Sequence, residues 1–221
     1  MKDLFIYGAS GFGTEILAVV ESANKGEWNI KGFIDDKKKA GDKPYKNYQI
    51  FGDFEYLKKS YSDKDVALVI AIAEPKSKQM LVKKIKENLK KTLFPIIIHP
   101  SAQINETSTL SEGCIITNNC ILTNNIKIEE FVILNLAVTV GHEVLIKKYT
   151  SIMPGVNIGG NTIIGENVYI GQNANIIQKI KIGDNVTIGV GTSIIKDVEP
   201  SITIAENLSY VKIPKKTVEN I

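Results

Sequence analysis

The sequence predicts an α/β Rossmann-like domain followed by a parallel β-helix. Three observations predict it. A six-residue repeat runs unbroken from Ile98 to Ile194, a glycine turn at Gly8 to Gly13 separates a strand from a helix, and strand and helix patterns alternate before residue 98. The chain divides accordingly into residues 1–97, a β-helix over 98–199 and a tail over 200–221.

The repeat carries the most information. Counted in sixes from Ile98 through Leu110, Leu134, Ile152 and Ile170 to Ile194, every position is Ile, Leu or Val. The position four places further on, from Ala102 through Cys114, Cys120, Val138 and Ala174 to Val198, is always small or β-branched. A helix repeats every 3.6 residues and a half-buried strand every two, so a period of six is neither alone. It fits a β-helix in which each hexad is one short strand and one corner. Three hexads complete a triangular coil, and both repeated positions point inward, stacked on their copies in neighbouring coils. Cys114 and Cys120 hold the small inward position, which makes them core residues.

Ahead of the repeat, residues 3–7 read as a strand, 14–24 as a helix, 28–34 as a second strand and Val66 to Ile72 as a third. The third is continuously apolar, as a buried parallel strand is. Lys76 to Lys91 reads as a Lys-rich amphipathic helix with Met80, Leu81, Ile85 and Leu89 on one side. Thr92 to Pro100 reads as a link.

Composition narrows the function. Net charge is +3, and all 27 basic residues are Lys. Without Arg the chain lacks the bidentate reader of phosphates and guanine edges, which argues against nucleic acid. No apolar run is long enough to span a membrane. The N-terminus is not patterned as a signal peptide, and two cysteines suit a reducing compartment, so the expected location is cytoplasmic. With two histidines and no Cys or His cluster, no metal is expected.

Chemistry has two candidate places. The turn Gly8-Ala9-Ser10-Gly11-Phe12-Gly13 is either a tight connection or a cradle that offers backbone N–H groups to an anion. Asp35 and Asp36, ending the second strand, suit ribose hydroxyls or base edges. The spacing is not the dinucleotide fingerprint, and no hydride-transfer domain follows, which disfavours NAD. His142, followed by Glu143, stands at an outward corner; His99 reads as a capping residue at the β-helix entry. One coil on from His142 is Gly160, with adjacent coils about 4.8 Å apart. His142 is then either a solvated corner histidine or a general base beside a backbone oxyanion donor, with Glu143 orienting the ring.

The glycine-turn domain, the hexads and Val140-Gly141-His142-Glu143-Val144 together resemble the hexapeptide-repeat nucleotide-sugar N-acyltransferases, including those of bacillosamine synthesis. The sialic-acid O-acetyltransferase-like proteins share the layout. The resemblance implies a left-handed β-helix, a homotrimer and acetyl-CoA, or another acyl-CoA, as co-substrate. It implies His142 as base, Glu143 as its partner and Gly160 at the oxyanion, with acyl-CoA along Ser151, Gly160, Gln172 and Val190. It places a nucleotide-linked 4-amino-4,6-dideoxy sugar on Ser10, Gly11, Phe12, Asp35, Asp36 and Ala73, with Asn135 near the sugar, in glycan biosynthesis. Sialic-acid-type O-acetylation and a non-catalytic binding β-helix are the alternatives. Phe12, Ala73 and Ser151 stand where the family has His, Gly and His, and Lys212-Ile213-Pro214-Lys215-Lys216 where it has Gly-x-Pro-Ala-Lys.

Overall fold

The structure, a computed structural model, describes residues 1–205. The Lys212–Lys216 segment and the rest of the tail from 206 lie outside them.

The N-terminal domain runs β1 (Lys2–Tyr7), α1 (Gly11–Ala23), β2 (Trp28–Ile34), β3 (Gln49–Gly52), α2 (Phe54–Tyr61), β4 (Val66–Ile70), α3 (Pro75–Asn88) and β5 (Thr92–Leu93). All strands pair in parallel, in the order β3-β2-β1-β4-β5. Leu4, Phe5, Ile6 and the whole of β4 are buried, because helices cover both faces of the sheet. Two parts of this domain differ from expectation. β3 and α2 fill a stretch with no assigned element, and Thr92–Leu93, read as link, hydrogen-bonds to β4 as the fifth strand.

The β-helix follows as a left-handed stack of two-residue strands in three parallel sheets. The first face holds Ile97–Ile98, Ile115–Ile116, Ile133–Leu134 and their successors; the second begins at Gln103–Ile104 and the third at Thr109–Leu110. Partners are 18 residues apart, as Ile133 with Ser151 and Ser151 with Tyr169. The inward aliphatic and small positions from Cys114 to Ile194 form one continuous buried core, which both cysteines join. Burial pushes the Cys114 thiol up to about 11, so it is an inert core group.

The last coil departs from the count. Val198 bridges Ile182 and Thr203–Ile204 pairs with Thr187–Ile188, each 16 residues apart. Two corner residues are missing, so Val198 occupies the aliphatic position and not the small one. The β-helix also continues past residue 199.

The N-terminal domain sits on the first face. The outward side chains Ile97, Ile115 and Ile133 join the core under α1, and Phe131 joins the core under α3. Phe131 stacks on Tyr149, with ring centroids 5.5 Å apart. On α3, Met80 is 71% exposed, whereas Lys78 is buried at 1%. Leu81, Ile85 and Leu89 are buried as expected, joined by Val82, whereas Lys78 and not Met80 completes the buried side.

Candidate active site

The glycine turn uses its three motif glycines differently. Gly8 has φ of +109°, and a Cβ there would lie 2.8 Å from the Ala71 carbonyl at the end of β4. A Cβ on Gly13 would fall onto the Gly8 carbonyl, so α1 starts hard against the turn. Gly11 meets nothing and stays open. Ser10, the N-cap of α1, makes no side-chain cap, and no acid stands in the first turn. The free N–H groups of that turn therefore face outward.

Beside it lies a cavity of about 550 Å³ lined by Ser10, Phe12, Asp35, Asp36 and Ala73, together with Tyr7, Lys37 and the start of α3. This is the size of a small-ligand site. Five of the six residues expected to bind the nucleotide thus line one cavity, and Gly11 is in the turn at its edge. The two aspartates are also structural. Asp35 accepts from Ala9 N–H (2.8 Å) and Lys37 N–H (2.9 Å), tying β2 to the turn. Asp36 accepts from the Tyr7 hydroxyl and from Phe54 N–H, each at 2.9 Å. Burial and this carboxylate push the Tyr7 phenol far up. Lys38, which sequence reasoning passed over, donates to the Ala9 carbonyl at 2.6 Å.

His142 lies on the corner between the second and third faces. A Cβ built on Gly160 would sit 2.7 Å from His142 Nε2 and within 2.9 Å of Cδ2 and Cε1, so the ring lies over a position only glycine leaves open. The Gly160 carbonyl accepts from Lys179 N–H; its own N–H is not used in the ladder. His142 Nδ1 is 3.4 Å from Glu143 Oε2 and 3.3 Å from Asn161 Nδ2. Both His142 and Glu143 are more than half exposed. Nδ1 thus faces Glu143 and Asn161 while Nε2 lies over a bare backbone, a position from which an imidazole can accept or give a proton. His99 differs: Ser101 Oγ and Asn118 Nδ2 occupy its two nitrogens at 2.8 and 3.1 Å, which supports the capping reading.

The residues expected to hold acyl-CoA are not together in one chain. Gly160 is on the second–third corner, whereas Gln172 and Val190 are exposed on the first–second corner. Ser151 is fully buried beneath α3, where it accepts from Lys78 Nζ at 2.7 Å. It is closed to a ligand, because a small side chain on the covered first face leaves room for the lysine. Asn135 is buried at 5% on the first–second corner and accepts from Leu136 N–H. Among the described residues no three His, Cys, Asp or Glu side chains gather as a metal site, and no helix is long and apolar enough to cross a membrane.

A Rossmann-like domain seated on a hexapeptide β-helix with an exposed catalytic-type corner defines a hexapeptide acyltransferase. The comparisons agree. The PglD N-terminal domain model matches residues 3–85, and the bacterial transferase hexapeptide (six repeats) model matches 137–172 and 161–196. The acetyltransferase domain of PglB from Neisseria gonorrhoeae is similar with a TM-score of 0.82 at 26% identity, over 94% of this chain and 98% of that one. WeeI from Acinetobacter baumannii gives 0.80 at 26%, again over 94% and 98%. PerB from Caulobacter crescentus shares the fold at 0.83 and 20% identity, over 96% and 98%. No curated protein matches. The protein is an acyltransferase that joins a PglD N-terminal domain to bacterial transferase hexapeptide repeats.

Proposed function

We propose that the protein transfers an acyl group, acetyl first among them, from acyl-CoA to the amine of a nucleotide-linked 4-amino-4,6-dideoxy sugar. The observation that carries this is the His142–Gly160 corner. The amine attacks the thioester carbonyl, so a C–N bond forms as the C–S bond breaks. With Nδ1–H donating to Glu143, Nε2 holds the lone pair that takes the amine proton, which passes on to the CoA thiolate. The free Gly160 N–H receives the developing oxyanion, a contact typically worth about 3 kcal/mol. Positioning two bound substrates supplies much of the remaining acceleration. Neither cysteine takes part, since both are buried.

The α1 N-terminus offers N–H groups to a diphosphate, and the cavity beside it takes the nucleoside. Acyl-CoA lying between chains would meet the second–third corner of one and the Gln172–Val190 corner of the next, which is the arrangement of a homotrimer. Two neighbours support the substrates: the PglB acetyltransferase domain is known with acetyl coenzyme A, and PerB with CoA and GDP-perosamine.

The test is thiol release from acetyl-CoA against UDP-, dTDP- and GDP-linked 4-amino sugars, with free sialic acid beside them. Turnover with one nucleotide amino sugar is expected and names the nucleotide. Turnover with sialic acid alone would make the protein an O-acetyltransferase. Silence with no CoA binding would make it a non-catalytic binding protein.

A further inference from the structure

The nucleotide cavity is not the only concavity along α1. One turn further on, a cleft of about 230 Å³ opens between α1 and the first–second corner of the β-helix. Its polar lining is Glu15, Ser22, His99 and Asn118, with Leu136 at its edge. We propose that this cleft is the subsite for the amine-bearing sugar, and that Glu15 recognises it. The proposal rests on the nucleotide-sugar reading above and adds a residue and a charge preference to it.

Helix geometry links the two concavities. Phe12 lines the nucleotide cavity and Glu15 the cleft, and residues three apart share a helix face. They are about 4.5 Å apart along the axis. A diphosphate held at the first turn of α1 therefore leaves its sugar over Glu15.

The side chains in the cleft divide into scaffold and free acceptors. His99 is scaffold, with both nitrogens occupied. Asn118 donates its Nδ2 to that ring, and its Oδ1 has no hydrogen bond to any described residue. Ser22 is turned back onto the Ala18 carbonyl. Glu15 forms no hydrogen bond or ion pair with any described residue, although it is half-buried in a Lys-rich chain. The cleft thus presents two unused acceptors, one anionic. Hydroxyl and amine donors of an amino sugar fit it; the carboxylate of a sialic-acid-type sugar is repelled. The same charge that favours the amine acceptor rejects the O-acetylation substrate.

The experiment measures affinity by calorimetry for a nucleoside diphosphate and for its 4-amino-sugar conjugate, in wild type, Glu15→Gln and Glu15→Ala. The conjugate should bind roughly tenfold more weakly to both variants. Affinities for the nucleoside diphosphate and for acetyl-CoA should not change. Unchanged conjugate affinity would overturn the proposal, and so would an equal loss for nucleotide and conjugate, which would mean damage to α1. A wild-type protein that binds no conjugate of the panel would overturn the nucleotide-sugar reading and this inference with it.

Discussion

From residue 113 to residue 191 each corner of the β-helix has one residue in the left-handed conformation. It is Asn at 119, 125, 161, 167, 173 and 185, and Gly at 113, 155 and 191, the two residue types that bear it best. Five corners carry other residues in the same conformation: Phe131 (φ +57°), Ala137 (+57°), Glu143 (+59°), Tyr149 (+61°) and Lys179 (+63°). Each of these costs about 1 kcal/mol relative to a residue that tolerates the left-handed region. Glu143→Asn should therefore raise the unfolding free energy by about 1 kcal/mol in denaturant melts, while kcat falls. A variant that is no more stable, or equally active, would remove Glu143 from the account. The residue beneath His142 was legible in the sequence, because an 18-residue coil puts Gly160 there by counting. The corner asparagines were equally visible as a period-six signal, but a reading tuned to apolar positions passes over them. Ser151 could not be judged from sequence, since its burial is decided by a helix more than 70 residues away.

The element that carries the least expected group is α3. Lys78 crosses from it to the β-helix, donating to Ser151 Oγ, and forms no ion pair with any described residue. Burial brings its ammonium down to about 7, against weak pulls from Cys114 and Glu74. The folded state then sheds the proton near pH 7, whereas the unfolded chain keeps it to the ordinary lysine value. Stability should rise with pH from 7 to 9, where the unfolded state binds more protons. Thermal melts across that range should show the rise in wild type and a flatter profile in Lys78→Met; parallel profiles would contradict the buried, neutral amine. The helical period over Lys76 to Lys91 was readable, but hydropathy alone assigned Met80 to the core, where the structure places Lys78. β3 and α2 escaped notice for a different reason. Four residues of β3 at the sheet edge carry no periodicity of their own. α2 does carry a signal, Asp53 as N-cap accepting from Tyr56 N–H, with Phe54 and Leu57 buried on one side. β5 is two residues long and is defined only by its pairing with β4.

At the scale of the whole molecule, one period determines most of the architecture. Because the core of the β-helix is a stack of copies, reading one hexad reads nearly all of them, and the count fails only where the last coil drops two residues. The domain arrangement follows from which face is apolar outside: Ile97, Ile115 and Ile133 call for a cover on the first face, and α1 provides it. The second face stays uncovered, as do its corners in the coils beyond α1, with Ile177, Val190 and Ile195 among the exposed apolar side chains. Those corners carry His142 on one side and Gln172 on the other, so the chemistry proposed here needs a second chain. The central claim is that His142 is the base. It is tested most directly by thiol release from acetyl-CoA with the nucleotide amino sugar that wild type accepts, comparing wild type with His142→Ala, with light scattering as a control for assembly. The account predicts a trimer in both, unchanged CoA binding and a kcat lower by about 10²- to 10⁴-fold in the variant. A correctly assembled His142→Ala protein that turns over at the wild-type rate would contradict it.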